Sequence, residues 1–250
     1  MRIMIHRLFR AVLLALLAGL GLLLAGCGTG GSDNRTIPDQ FTGDYAGELT
    51  AVPGGTIGAI RATIFPSGSV QFDVSATGGA FFATGGINTL DQLTASGFLD
   101  NTQIDFQGTW SADGFGTASG TWINRTTNET GIWSITQEGV STAGAVGSYS
   151  GTYAMPGFTG AVTFIVNANG SVTGMATGFQ AFDISLTGSL TRDNLVVLTG
   201  STGSAGFGET VFFTGPLNTT TFTVTDGTAG TSLNGGVTGT WAAAKTAAGG

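Results

Sequence analysis

The sequence is poor in charge, and the little charge it carries is unbalanced. Only 9% of its 250 residues are charged, and three of its eight basic residues lie within the first ten positions. The rest of the chain has 5 basic and 15 acidic residues, whereas about a quarter of an ordinary globular chain is charged. Five scattered cations cannot form a basic patch, which excludes nucleic-acid binding. A hydrophobic content of 41% excludes ordinary disorder.

Histidine, cysteine and lysine are each represented once, by His6, Cys27 and Lys245. His6 lies in an N-terminal segment that we expect to be removed, and Cys27 is the residue that we expect to be lipidated, so a catalytic Ser-His-Asp or Cys-His arrangement is excluded. The usual zinc and copper sites, which need imidazole or thiolate ligands, are excluded for the same reason. Lys245 lies too near the C-terminus to suit a buried lysine nucleophile. We therefore expect no enzymatic activity, no metal and no cofactor.

The N-terminus has the pattern of an export signal. A basic stretch, Met1 to Arg10, precedes an uninterrupted apolar run of 15 residues, Ala11 to Ala25. As a helix this run would span about 22 Å, which is short for a hydrocarbon core of about 30 Å. A removable signal peptide over residues 1–26 is therefore favoured over a permanent membrane span.

The end of this segment, Leu24-Ala25-Gly26-Cys27, resembles the lipobox of bacterial lipoproteins. The resemblance implies that the Cys27 thiol receives a diacylglycerol and that Cys27 becomes the acylated N-terminus after cleavage. Several acyl chains anchor a protein stably, whereas one does not. Lipidation would also explain a lone cysteine in an exported chain; the alternative is a plain secretory signal with an incidental cysteine. Gly28 replaces the Asp that resembles an inner-membrane retention signal, so we expect sorting to the outer membrane, with periplasmic or surface exposure left open.

The remainder of the chain has the pattern of a flexible tether followed by β-structure. Residues 27–41 are small and polar, which is typical of a tether. From residue 42 onward no helical period is sustained, and apolar residues alternate instead, as at Val70, Phe72 and Val74. Short turn signals separate these runs and make neighbouring strands antiparallel. The predicted turns are Pro53-Gly54-Gly55, Pro66-Ser67-Gly68, Asp100-Asn101, Asp113-Gly114, Asn169-Gly170, Arg192-Asp193-Asn194 and Asp226-Gly227.

The chain also resembles itself at an offset of about 100 residues. Gly43-Asp44-Tyr45-Ala46-Gly47 recurs as Gly147-Ser148-Tyr149-Ser150-Gly151, and Thr130-Gly131-Ile132-Trp133 recurs as Thr238-Gly239-Thr240-Trp241. Ser67-Gly68-Ser69-Val70 recurs as Asn169-Gly170-Ser171-Val172. These matches predict a tandem duplication.

We therefore predict an all-β protein with two tandem antiparallel meander domains, at residues 42–140 and 145–245, of about eight strands each. Small closed barrels are favoured over two-layer sandwiches because closure removes exposed strand edges; a single 16-stranded structure is a third option. The Gly-Thr-Trp and Gly-x-Tyr motifs weakly resemble those of avidin-like and lipocalin-like meanders. One strand is expected at residues 219–226, with Phe222 and Val224 facing inward.

Two groups of side chains are candidates for function. Asp73, Asp105 and Asp183 each lie between apolar residues of an alternating strand, which places them on the solvated face unless a barrel is inverted. Glycoside hydrolysis needs two carboxylates about 5–10 Å apart in a cleft, and the sequence pairs none of these. The aromatic residues suit either core packing or a ligand platform. They are Trp110, Trp122, Trp133, Trp241, Tyr45, Tyr149 and Tyr153.

These features indicate a lipid-anchored protein of the bacterial cell envelope that acts as a non-enzymatic structural, surface or binding module. Its expected partners are the membrane, through Cys27, and either a small apolar ligand or another envelope or surface component. The alternative is a carrier that holds a small apolar ligand inside a lipocalin-like or avidin-like barrel. A glycan-active enzyme and a transmembrane β-barrel are less favoured. Sixteen strands would average about 13 residues with turns, which is barely enough to span a membrane, and a lipid anchor would then be redundant.

Overall fold

A computed structural model describes residues 41–88, 90–111, 116–179, 182–202 and 209–246. These residues form sixteen strands arranged as two closed, antiparallel, eight-stranded barrels, so the predicted fold class is confirmed. Within these ranges, no helix is both long and apolar enough to cross a membrane. Cys27, the expected signal peptide and tether up to residue 40, and the predicted Asp113-Gly114 turn lie outside the described residues.

The first barrel contains strands β1 to β8. Their bounds are Gly43–Ala51, Thr56–Ile64, Ser69–Ala76, Gly79–Ile87, Gln92–Leu99, Thr102–Trp110, Thr117–Asn124 and Thr130–Gln137. The second barrel contains strands β9 to β16. Their bounds are Gly147–Met155, Phe158–Val166, Ser171–Phe179, Phe182–Leu190, Leu195–Ser201, Thr210–Pro216, Thr223–Thr231 and Val237–Lys245.

Each barrel is a simple meander that closes on itself. Every strand pairs with the next in sequence, and closure comes from β1 against β8 and from β9 against β16. Tyr45 lies opposite Gln137 in the first closing pair, and Tyr153 lies opposite Trp241 in the second. Closure gives each outer strand a partner, so neither a sandwich nor a single 16-stranded sheet forms.

Aromatic side chains fill the interior of both barrels. Six of the seven Trp and Tyr residues are buried there: Trp122, Trp133, Trp241, Tyr45, Tyr149 and Tyr153. Several of these rings contact phenylalanines; Tyr149, for example, stacks on Phe164 with ring centroids 4.8 Å apart. Their polar atoms donate hydrogen bonds to backbone carbonyls, as where Trp241 Nε1 donates to the Thr214 oxygen at 2.7 Å. Core packing, one of the two roles considered for these residues, is the role they have.

The predicted duplication is visible in matching hydrogen bonds. In each repeat a tyrosine hydroxyl donates a hydrogen bond to the carbonyl oxygen four residues earlier in the chain. The donor–acceptor distance is 3.0 Å for Tyr45 and 2.7 Å for Tyr149. The turns at Gly68 and Gly170 also match. Both glycines have positive φ (84° and 88°), and both donate to the carbonyl oxygen three residues earlier. The repeat therefore preserves side-chain anchors and turn geometry.

One predicted turn and one predicted strand were wrong. Asp226-Gly227 is not a turn; it lies inside β15, where the register shifts between Val224 and Gly227. A Cβ on Gly227 would lie 2.1 Å from Trp241 Nε1, so this glycine makes room for the indole rather than for a reversal of the chain.

The reversal occurs earlier, which is why β15 spans 223–231 rather than 219–226. Asn218 Oδ1 accepts hydrogen bonds from the backbone N–H groups of Thr220 and Thr221, an arrangement that fixes a tight turn. Phe222 follows with a φ of 53° and ends the turn, so it is not part of a strand; it is partly buried and packs against the core of the second barrel. Val224 is buried, as expected.

Candidate functional site

The two barrels belong to one compact unit and meet through an apolar contact. Ala46 and Ala59 of the first barrel and Val197 and Phe212 of the second form one cluster, and all four are fully buried. Phe212 lies between Val211 and Phe213, which face the core of their own barrel, so its ring faces outward and is covered only because the first barrel packs on it. The small alanine side chains let the strands of the two barrels approach closely.

Polar contacts flank this cluster. Arg61 Nη2 lies 3.3 Å from Glu138 Oε1, and Ser189 Oγ of the second barrel donates to the same oxygen at 2.6 Å. On another part of the interface, Thr210 Oγ1 donates to the Ala76 carbonyl oxygen at 3.3 Å. Apolar burial together with directional hydrogen bonds holds the barrels in a defined arrangement, so a cleft between them is already formed before a ligand binds.

A cleft of about 860 Å³ lies beside this contact, which is within the range typical of ligand sites. Both barrels contribute its walls. The residues of the first barrel that line it are Asp73, Ser75, Ala80, Phe81, Phe82, Thr84, Ser96, Gly97 and Phe98. Those of the second barrel are Ser185, Thr187, Thr199, Gly200, Ser201 and Thr210.

One wall of the cleft carries two exposed aromatic rings. Phe82 and Phe98 are 63% and 61% exposed, on β4 and β5. They flank the paired residues Ala83 and Gly97, and directly opposed side chains on neighbouring strands have Cβ atoms about 5 Å apart. The two rings therefore form a single platform, which we call the phenylalanine platform. Two large apolar side chains exposed side by side inside a cleft indicate a contact surface.

The second barrel contributes hydroxyl groups to the cleft, and we call this part of the lining the hydroxyl wall; Ser75, Thr84 and Ser96 add hydroxyls from the first barrel. Ser185 and Thr187 come from β12, and Thr199 and Ser201 come from β13. The side-chain hydroxyls of Ser185 and Thr187 have no hydrogen-bond partner within the described ranges, so both can bond to a ligand. Because each hydroxyl can donate one hydrogen bond and accept two, this wall suits a ligand with many polar groups of its own.

Asp73 is the one carboxylate among the described residues of the cleft. It lies opposite Arg61 on the neighbouring strand β2. Burial raises the pKa of Asp73 above its usual range, and the positive charge of Arg61 partly opposes the shift. No described group hydrogen-bonds to this carboxylate, so it can accept a hydrogen bond from a ligand.

Asp73 also lines a second, smaller cavity of about 170 Å³, together with Asp44, Arg61 and Glu138. The other two carboxylates of this cavity have partners within the protein. Asp44 accepts a hydrogen bond from the Thr63 hydroxyl at 2.8 Å, and Glu138 is held by Arg61 and the second barrel. Two of the three carboxylates of this cavity are therefore already bonded within the protein, and Asp73 is not.

The three aspartates singled out from the sequence lie on the outer face of their strands as predicted, but only Asp73 reaches the cleft. Asp183 is exposed elsewhere on the second barrel. At Asp105, burial raises the pKa, but hydrogen bonds from Gln103, Arg125 and Ser96 outweigh it and hold the pKa below its usual range. Arg125 Nε lies 2.6 Å from Asp105 Oδ2, which gives this carboxylate a structural role. Among the described residues, no three acidic, His or Cys side chains lie close enough to hold a metal.

Sequence reasoning missed Phe82 and Phe98. A signal for the first was present, because Phe81 and Phe82 are adjacent in a strand and only one of them can face the core. Nothing comparable marks Phe98, which takes the ordinary alternating position after the buried Gly97. The pairing of the two rings depends on the register of β4 and β5, which the sequence does not specify.

No family model matches this chain, and no curated protein does. One solved structure similar to this chain is intact Ap-TbpB with its N and C lobes. The match covers 82% of this chain at 10% sequence identity with a TM-score of 0.22, and it spans 64% of that structure's length. Another is the Myxococcus xanthus hemagglutinin in complex with a3,a6-mannopentaose. That match covers 87% of this chain and 97% of the hemagglutinin, at 12% sequence identity with a TM-score of 0.18. At TM-scores this low, neither likeness indicates a function for this chain.

Proposed function

We propose that this protein is a lipid-anchored binding module of the bacterial cell envelope, without catalytic activity, and that it holds its ligand in the cleft between the two barrels. The observation that carries this proposal is the preformed cleft, whose lining combines an exposed phenylalanine platform from the first barrel with hydroxyl groups from the second. Aromatic surface with a few placed polar groups is the usual composition of a ligand site.

The packing of the barrels favours the cleft over a barrel interior as the ligand site. In the first barrel, Phe72 contacts both Phe106 and Trp133, with ring centroids 5.3 Å and 5.5 Å apart. In the second, Trp241 contacts Phe164 and Phe213 at 5.9 Å and 5.7 Å. Rings in contact at these distances occupy the space that an apolar ligand of a carrier would need.

The carboxylates of the cleft favour binding over hydrolysis. Cleavage of a glycosidic bond uses one carboxylic acid and one carboxylate on opposite sides of the bond. Among the described residues of the cleft only Asp73 could serve, because the carboxylates of the adjoining cavity already bond to Thr63, Arg61 and Ser189. A lone carboxylate suits the recognition of a ligand hydroxyl.

The anchor is tested by replacing the lipidated residue. The Cys27→Ser variant, expressed in a bacterium with radiolabelled palmitate, should remain an unlabelled precursor with its signal peptide uncleaved. The matched Thr29→Ser variant should be labelled and processed as the parent is. Normal processing and membrane retention of Cys27→Ser would contradict the anchor.

The cleft is tested with a probe that combines an apolar and a hydroxyl group. Isopropanol, titrated into the ¹⁵N-labelled protein, should shift the backbone amide signals of β4, β5, β12 and β13 most strongly. The Phe82→Ala/Phe98→Ala double variant should lose this response. Ile165→Ala removes another apolar side chain, 49% exposed and on β10, and should keep it. Shifts scattered over both barrels, or centred on β10, would reject the cleft as the ligand site.

A further inference from the structure

We infer that the ligand of the cleft is a neutral oligosaccharide, with one or more sugar rings lying on the phenylalanine platform and its hydroxyl groups bonded to the hydroxyl wall. This inference rests on the proposed function, because it names the ligand class of the same cleft.

The charge of the cleft selects against anions. None of the described lining residues is a lysine or an arginine, and the one charged side chain among them is Asp73. The chain as a whole has a formal net charge of −7, so its long-range field also repels negative ligands. Phosphorylated and acidic ligands are therefore disfavoured, and a neutral ligand fits.

The hydroxyl wall selects against ligands that are apolar throughout. An acyl chain or a plain aromatic compound would cover the hydroxyls of Ser185 and Thr187 without offering them a partner. Burying a hydroxyl group without a hydrogen bond has a free-energy cost, and that cost would recur at each one. A ligand that carries donors and acceptors along the edge facing this wall avoids it.

The platform selects for a ligand with a flat apolar face. Phe82 and Phe98 have no polar atom in their side chains, so they contribute apolar contact alone. A pyranose ring has an axial face of C–H groups and a rim of hydroxyls, so one molecule matches both walls of the cleft. The volume of about 860 Å³ lies near the upper end of typical ligand sites, which favours several linked sugars over a single one.

Asp73 gives the site a strong hydrogen-bond acceptor at the edge of the platform. It lies on β3, next to the β4 strand that carries Phe82, and is the residue directly paired with Phe82. A carboxylate that accepts a hydrogen bond from a sugar hydroxyl forms a charge-assisted bond, which is stronger than a neutral one. We expect Asp73→Asn, which keeps the shape but removes the charge, to weaken binding less than loss of the platform does.

Isothermal titration calorimetry with named probes tests the inference. The neutral probes are maltohexaose, cellohexaose, mannohexaose and N-acetylchitohexaose; the comparison probes are trigalacturonate, octanol and spermidine. At least one neutral oligosaccharide should bind. Phe82→Ala and Phe98→Ala should each weaken that binding at least about fivefold, as truncation of a central aromatic contact usually does. Ile165→Ala should leave it unchanged, and unfolding midpoints close to that of the parent would show that all three variants are folded.

The possible outcomes separate the two proposals. If none of the neutral oligosaccharides binds, or if one binds with unchanged affinity to both phenylalanine variants, the inferred ligand class is wrong. If a comparison probe binds instead and needs Phe82 and Phe98, the cleft remains the ligand site but its ligand is of another class. If no probe binds and isopropanol also fails to shift the amides of the cleft, the proposed function fails as well.

Discussion

Replacement of Phe212 by alanine tests whether the barrels pack against each other as described. Phe212 faces outward from its own barrel and is fully buried because Ala46 and Ala59 of the other barrel cover it. Truncating a buried phenylalanine costs about 3–5 kcal/mol, from lost apolar burial and the cavity left behind. Since the ring forms the centre of the contact between the barrels, we expect most of this loss to weaken their association rather than the interior of either barrel.

The matched control is Ile165→Ala. Ile165 also faces outward from the second barrel, but it is 49% exposed and lies outside the contact cluster. Substitutions at such surface positions usually change the free energy of unfolding by no more than about 0.5 kcal/mol. The two variants therefore compare outward-facing apolar residues that differ mainly in whether the other barrel covers them.

Urea unfolding monitored by tryptophan fluorescence and by circular dichroism measures the difference. Of the four tryptophans, only Trp241 lies in the second barrel, so fluorescence reports mainly on the first barrel and circular dichroism reports on both. In the parent, coupled barrels should give coincident transitions, whereas in Phe212→Ala the two curves should separate and the first midpoint should fall. A loss below about 1 kcal/mol, similar to that of Ile165→Ala, would show that Phe212 is not covered, and the cleft would then lack its second wall.

Two further predictions concern the packed interior. Gly227→Ala should destabilise the protein by about 1–3 kcal/mol or more and alter Trp241 emission, because the new Cβ would lie 2.1 Å from the indole nitrogen. Gly55→Ala should have neither effect, because no atom lies within 4 Å of its new Cβ. Equal unfolding midpoints for the two variants would contradict this packing. Burial raises the pKa of Tyr45 and the pKa of Tyr153 to about 12 each. At Tyr45 the positive charge of Arg192 opposes part of this shift. These folded-state pKa values lie above the unfolded-state value of about 10, so neutral tyrosines favour the folded state. Their contribution to the free energy of unfolding is fully present below about pH 10 and is lost as the pH rises through about 12. Absorbance at 295 nm should therefore show tyrosine ionisation well above pH 10 in the folded protein and near pH 10 in urea, and coincident titrations would show that the rings are solvated.

Much of the fold could be predicted from the sequence because strand period and turn chemistry are local. Alternation at Val70, Phe72 and Val74 correctly assigned the inner face of β3, and glycine in the turns at Gly68 and Gly170 correctly placed two hairpins. The same local rules failed at Asp226-Gly227. There a glycine makes room for Trp241, its partner on the neighbouring strand, and a sequence pattern does not distinguish such a glycine from one in a turn.

The candidate site could not be predicted, because it depends on how the two barrels meet. Val211, Phe212 and Phe213 form a continuous apolar run, which indicates a strand buried on both faces but not what covers the second face. Phe82 and Phe98 become one platform only through the register of β4 and β5. The hydroxyl wall comes from a different repeat more than 80 residues away, so no local pattern links the two sides of the cleft.

An amide chemical-shift map of the ¹⁵N-labelled protein with the tightest-binding neutral oligosaccharide tests most directly whether the ligand lies between the barrels. We predict shifts on both sides of the cleft at once, around Phe82 and Phe98 in the first barrel and around Thr187 and Thr199 in the second. Shifts confined to one barrel, or centred on residues of a barrel interior, would contradict it.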